Sequence, residues 1–247
     1  LSVAGTLELG RAGEGQLDLR GGEVDAEVVR LADDAEALGV LQIDGGTLTT
    51  GAIDVGEGAV SVMMTGGVLV TPEVHAPLRI QGGVWRVEAP GVASQPVTLE
   101  ANATLSISLS MLTEEEVLLA LGENSVLAGS LSLWIPEGEP LYIGSYPLLE
   151  GVGLDLNMLA IDVAALGQDA QVSWQVDTTT ERTRLWLHVT AGPTRPRVDE
   201  ADGNATEGRE EGDAGEDDVG PEVAQAPAGA GTADVQGRHG VAPAQPD

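Results

Sequence analysis

The sequence predicts an all-β protein: a right-handed β-solenoid (β-helix), then a sandwich-like or capping β region with one short helix, then a disordered tail. Three observations lead there. Glycine pairs recur at Gly21-Gly22, Gly45-Gly46, Gly66-Gly67 and Gly82-Gly83. Short runs that alternate apolar and polar residues lie before and after each pair, as in Leu41-Gln42-Ile43 and Gly46-Thr47-Leu48-Thr49. Large aromatic residues are scarce, with no Phe, two Tyr and four Trp, so the core must be built from Val, Leu, Ile and Ala.

Alternation at period two buries one face of a strand. Strands this short cannot bury enough surface alone, and stacking one unit on the next solves the problem. The pairs are 24, 21 and 16 residues apart, a spacing of one solenoid coil. Glycine at the corners supplies positive φ angles for sharp turns. On this reading Leu19, Ile43, Val62 and Ile80 form one inward column, with a bulge at Met64 restoring the register, and Gln42 faces water. The competing arrangement is a meandering β-sandwich with glycine-rich hairpins.

Pro90 and Pro96 interrupt the pattern, which places the solenoid over residues 1–100 and a closing β domain over 101–191. Within the latter, Thr113 is a good N-cap, Glu116 completes a capping box, Leu112 can staple onto Val117, and Gly122 can stop a helix. These signals predict a helix over 114–121. Strands are expected around Leu131-Ser132-Leu133-Trp134, Val172-Ser173-Trp174 and Leu185-Trp186-Leu187. The last two flank a hairpin loop at Asp177–Glu181, and Trp134, Trp174 and Trp186 are expected to fill the core. Residues 192–247 hold no Leu, Ile, Met or aromatic residue. Such a segment cannot offset its ordering entropy by burial, and it reads as a disordered acidic tail.

Charge narrows the function. The chain carries 40 Asp and Glu against 11 basic residues, a net charge of -29, and every basic residue is Arg. This field repels phosphate backbones and anionic lipid, so nucleic acid is not an expected partner. The composition suits either a halophile or a GC-rich genome. No stretch reaches the roughly 18 apolar residues of a membrane span, so membrane insertion of this chain is not expected. With no cysteine there is neither a disulfide nor a thiolate metal site.

Catalytic motifs are absent: no nucleophile elbow, no phosphate-binding loop, and no spacing that joins His75, His188 or His239 to a Ser and an Asp. Clustered acids are the one chemistry to follow. Asp25, Glu27, Asp33, Asp34 and Glu36 lie close in sequence. They are candidates for a weak Ca²⁺ site, since Ca²⁺ takes six to eight oxygen ligands and backbone carbonyls can complete the set. No other cofactor is expected. The residues just before the glycine pairs (Arg20, Asp44, Thr65, Gln81) share no chemical type, which argues against a repeated ligand ladder.

The run Gly39-Val40-Leu41-Gln42-Ile43-Asp44-Gly45-Gly46-Thr47-Leu48-Thr49-Thr50-Gly51-Ala52-Ile53-Asp54-Val55-Gly56 resembles the β-strand repeats associated with autotransporter passenger domains and other large bacterial surface proteins. The region from Gly129 to Val189 resembles the closing β domain that follows such repeats. The resemblance implies a right-handed β-helix displayed on, or exported from, a cell. The chain shows neither the membrane-embedded barrel of those proteins nor a hydrophobic sorting helix with a basic end.

The expected function is a non-catalytic structural or adhesive module of a secreted or cell-surface protein, with surface polysaccharide or another surface protein as its partner. Two alternatives stay open: a carbohydrate-active β-helix (lyase or hydrolase), and an acidic cation-binding matrix protein.

Overall fold

The computed structural model describes residues 1–110, 112–166 and 171–194. The tail expected from 192 onward therefore lies, from residue 195, outside the described residues.

The chain starts with β1 (Ser2–Leu9) and two long bent strands, β2 (Glu14–Leu31) and β3 (Leu38–Val55). Each long strand passes through a glycine-pair corner and runs along three walls. Later coils break into shorter pieces. These are β4 (Ala59–Met64), β5 (Val68–Val70), β6 (Glu73–Val74), β7 (Leu78–Val87), β8 (Gly91–Ala93) and β9 (Val97–Ser108). Then come β10 (Leu119–Leu121), β11 (Val126–Leu127) and β12 (Ser130–Trp134). Every pairing among these strands is parallel and joins one coil to the next. The result is a β-solenoid of about six turns.

Each wall stacks buried side chains in columns from coil to coil. The wall before the glycine pairs stacks Leu19, Ile43, Met64, Ile80, Leu99 and Leu127. The wall after them stacks Val24, Leu48, Leu69, Trp85, Leu105 and Leu131. The third stacks Val29, Ile53, Val74, Ala93 and Leu121. All of these are 6% exposed or less.

The expected first column needs one correction. Met64, not Val62, sits between Ile43 and Ile80, and no bulge is required. Val62 is also inward and buried, but two residues earlier, in a neighbouring column with Leu41 and Leu78. In all four coils the apolar residue stands two positions before the first glycine, so the glycine pair sets the register.

The second glycine of every pair has positive φ, 77°, 74°, 76° and 89° in order. The first glycines of the later pairs pack on the coil below. A Cβ on Gly45 would lie 2.7 Å from the Arg20 carbonyl oxygen, too close for any side chain. The corner is thus glycine for two reasons, contact with the preceding coil at both positions of the later pairs and conformation at the second.

The parallel stack continues past residue 100, because β9 spans that position and β10, β11 and β12 add to it. The pairing changes character further on. Strand β13 (Gly144–Gly151) pairs parallel with β10 on one side and antiparallel with β16 (Thr183–Ala191) on the other. Strand β15 (Gln171–Thr178) closes the sheet as the antiparallel partner of β16. The expected hairpin forms, but its loop is Thr179–Arg182: Asp177 and Thr178, expected in the loop, pair with Arg184 and Thr183 at the end of β15. Strand β14 (Ala160–Asp162) extends the second wall beyond β12, and a short 3₁₀ turn follows at Ala164–Leu166.

The helix expected over 114–121 is not there. Half of its capping box forms, with the Glu116 amide donating to Thr113 Oγ1 at 3.0 Å. The chain then enters β10, where Leu119 and Leu121 pair with Gly91 and Ala93 on one side and with Leu149 and Gly151 on the other. Leu118, Leu119 and Leu121 are all buried there. Burial in the stack outweighs a local preference worth about 1 kcal/mol.

The tryptophans are also redistributed. The fully buried one is Trp85, whose Nε1 donates to the Thr71 carbonyl at 3.1 Å. Trp134 and Trp186 are half-buried, and Trp174 is 49% exposed.

Candidate functional site

The five acids singled out from the sequence do not converge. Asp25 and Glu27 project from β2 into solvent. Asp33, Asp34 and Glu36 lie on the loop between β2 and β3, at the next corner. Asp33 is held by Arg30 at 3.0 Å, and its own backbone is a rung of the stack: its amide donates to Gly10 and its carbonyl accepts from Glu57. Among the described residues no group of three or more His, Cys, Asp or Glu side chains is placed to hold a metal ion.

A different set of polar residues is brought together on the third wall. Asp54, His75 and Ser94 follow Ile53, Val74 and Ala93 in three successive coils. Because those three stack inward, the next residues stack outward. His75 Nδ1 lies 3.1 Å from Ser94 Oγ. On the other side of the ring, Nε2 lies 3.8 Å from Asp54 Oδ1 and 3.8 Å from Glu73 Oε2. The ring thus bonds a hydroxyl through one nitrogen and faces two carboxylates, beyond hydrogen-bond distance, with the other. A hydroxyl, an imidazole and two carboxylates stand in a row, the groups from which a nucleophile and base are built. The cluster sits on the outer wall, with Glu73 and Ser94 exposed, so substrate would have to approach a surface rather than enter a cleft.

Sequence reading rejected such a grouping, yet the signal was present. Asp54 and His75 each stand nine residues after the first glycine of their pair. Aligning the coils over their full length, instead of only beside the pairs, would have placed them in one column.

A second polar ladder runs beside the glycine corners. Gln42 Nε2 donates to the Asp44 carboxylate at 2.9 and 3.1 Å, and Thr65 Oγ1 donates to Asp44 Oδ1 at 2.6 Å. These bonds hold the Asp44 carboxyl below the usual carboxylate range, Thr65 contributing most. One and two coils on, Arg79 and Gln81 both bond Glu100, which is lowered likewise, chiefly by Arg79. Of the positions before the pairs, Asp44 and Thr65 thus differ in type as acceptor and donor to each other, while Gln81 bonds Glu100 in the next coil. Gln42 is half-buried in this network and does not simply face water.

The outer face of the C-terminal sheet carries a third group. Glu150 is bound by both Arg182, at 2.6 Å, and Arg184. The Arg184 guanidinium lies 5.2 Å from the centre of the Trp186 ring, a cation–π distance. Nearby, Ser145 Oγ lies 2.8 Å from His188 Nδ1. With Glu150 only 18% exposed, this network ties β13 to β16 and reads as structural.

No protein-family model matches the chain, and neither a curated protein nor a solved structure matches it.

Proposed function

We propose that the chain is a non-catalytic structural or adhesive β-solenoid module of an exported or cell-surface protein. The observation that supports this reading most is the filled interior. Stacked apolar columns from all three walls occupy the inside of the solenoid, and the side-chain chemistry is left on the outer walls. At about 4.8 Å per coil, six coils make a stiff element roughly 30 Å long. The coils carry polar ladders in fixed register, and such a surface suits lateral contact with an extended, repetitive partner such as a surface polysaccharide or another surface protein. The acidic, cysteine-free composition fits an extracellular setting, as does the resemblance to autotransporter-associated repeats. Two measurements test the reading. Protease treatment of intact source cells should remove the chain from their surface. Immobilised polysaccharides should retain the protein without being cleaved. Retention in a cytoplasmic fraction would overturn the localisation, and release of sugar products would overturn the non-catalytic part.

A second reading, a carbohydrate-active β-helix, draws on the cluster of Asp54, Glu73, His75 and Ser94. There a base and two carboxylates stand within reach of one hydroxyl-bearing position. If it holds, a polysaccharide panel should reveal turnover by the whole chain, and His75→Ala should abolish it while leaving the fold intact. Turnover that survives His75→Ala would exclude this cluster as its source.

A further inference from the structure

We propose that two copies of this chain associate through β15, pairing edge to edge about a two-fold axis at Trp174. Among the described residues β15 pairs with β16 alone and ends the sheet. Among the described residues nothing pairs with its far edge, which is a row of backbone groups. Native edges are guarded by Lys, Pro, inward charges or bulges. Here a bulge lies between Gln171 and Val172 and one charge lies at Asp177. The five residues between those points, Val172-Ser173-Trp174-Gln175-Val176, carry no charge, no Pro and no Gly.

The side chains of this edge form an apolar shelf. Val172, Trp174 and Val176 pair with Val189, Leu187 and Leu185, which are buried in the core. They therefore project on the core side of the sheet, but beyond the core. Trp174 is 49% exposed and Val176 48%. A recess of about 470 Å³ adjoins them, between the Gly153–Asn157 turn and Val176, Thr178 and Thr183.

The backbone supports the same axis. The hairpin closes with the Thr179 amide donating to the Arg182 carbonyl at 2.9 Å. Counting back from that pair, the alternation of an antiparallel ladder turns the N–H and C=O groups of Val172, Trp174 and Val176 away from β16. An antiparallel pair centred on Trp174 sets Trp174 against its own copy and Val172 against Val176 in both directions. All the outward groups of those three residues are then matched, and the two shelves merge on one face. Asp177 falls opposite Gln171, so the strongly acidic chain opposes no like charges across this seam. The chain's own remaining segment is a poor occupant. Residues 195–247 offer no Leu, Ile, Met or aromatic side chain for the shelf, and carry 13 acids against 4 Arg.

The test is sedimentation of the full chain over a concentration series, at low and at about 1 M salt. A single added strand gives an interface at the small end of the range, so a concentration-dependent dimer is expected. Salt should strengthen it by screening two chains of charge -29. Trp174→Lys places two cations on the axis and should shift the chain to monomer, with its β-type circular dichroism retained. If that variant does not fold, Ser173→Cys decides: the chain has no other cysteine, and a short bis-maleimide, which adds one cysteine thiol at each end, should join two copies. A monomer at all concentrations, a dimer indifferent to Trp174→Lys, an assembly larger than two, or no cross-link at residue 173 would each overturn the proposal.

Discussion

Replacing Ile43 with Asp places a carboxyl group inside the first column, between Leu19 and Met64. Ile43 is 0% exposed, so no water reaches the new group, and the strand's backbone groups are already paired above and below. Two costs add. Removing the aliphatic side chain costs about 2–5 kcal/mol, as for other large-to-small core changes. Burying a carboxyl with no partner adds several kcal/mol even if it stays protonated. The sum is comparable to the whole stability of a typical domain, about 5–15 kcal/mol. Solenoid coils interact mainly with their neighbours, so the loss should appear first in β2 to β4. Amide hydrogen exchange resolved along the chain is the assay. Protection should collapse in residues 14–64 and persist longer in β9 and β12. Ile43→Val, as a control, should cost only about 0.5–1.5 kcal/mol. Gln42→Asp should be intermediate, because it removes two bonds to Asp44 and sets a second carboxylate beside it. If Ile43→Asp and Gln42→Asp show equal protection, the inward register of this column is wrong.

Gly46→Ala should destabilise more than Gly22→Ala, although their φ angles, 74° and 77°, are nearly the same. A Cβ on Gly46 would meet the Gly22 carbonyl oxygen at 2.5 Å, whereas nothing lies within 4 Å of one on Gly22. Urea denaturation should show about 1 kcal/mol of backbone strain for Gly22→Ala and clearly more for Gly46→Ala; equal losses would remove the stacking argument. Asp44 and Glu100 are both lowered in the folded state, so the stability they contribute is present above the ordinary carboxylate range and is lost as pH falls through their folded values. Thr65→Val should therefore raise the pH at which Asp44 protonates, as read by carboxyl NMR titration, and an unchanged midpoint would refute the assigned cause. Residues 1–192 hold 27 acids and 7 Arg, a net of -20. Melting temperature should therefore rise from low to about 1 M salt as repulsion is screened, and a flat response would count against self-repulsion.

The sequence by itself determined the coil. Alternation at period two and the Φ-x-Gly-Gly corner are local properties, since each depends on side chains and φ angles within a few residues. That is why Leu19, Ile43 and Ile80 were legible as inward positions, and why the β15–β16 hairpin was legible from its turn residues. Met64, not Val62, stands between Ile43 and Ile80 because the two-residue distance to the glycine pair sets the register. Tertiary structure alone decided the rest. The Thr113–Glu116 cap forms its hydrogen bond and still yields no helix, because Leu118, Leu119 and Leu121 are worth more buried between β8 and β13. The choice of Trp85 over Trp174 as the buried tryptophan depends on which strand is interior and which ends the sheet. The cluster of Asp54, Glu73, His75 and Ser94 exists only because successive coils stack in register. Their chemistry lies about 20 residues apart along the chain but one strand spacing, about 4.8 Å, apart across it. Contacts between coils are invisible to any window shorter than a coil.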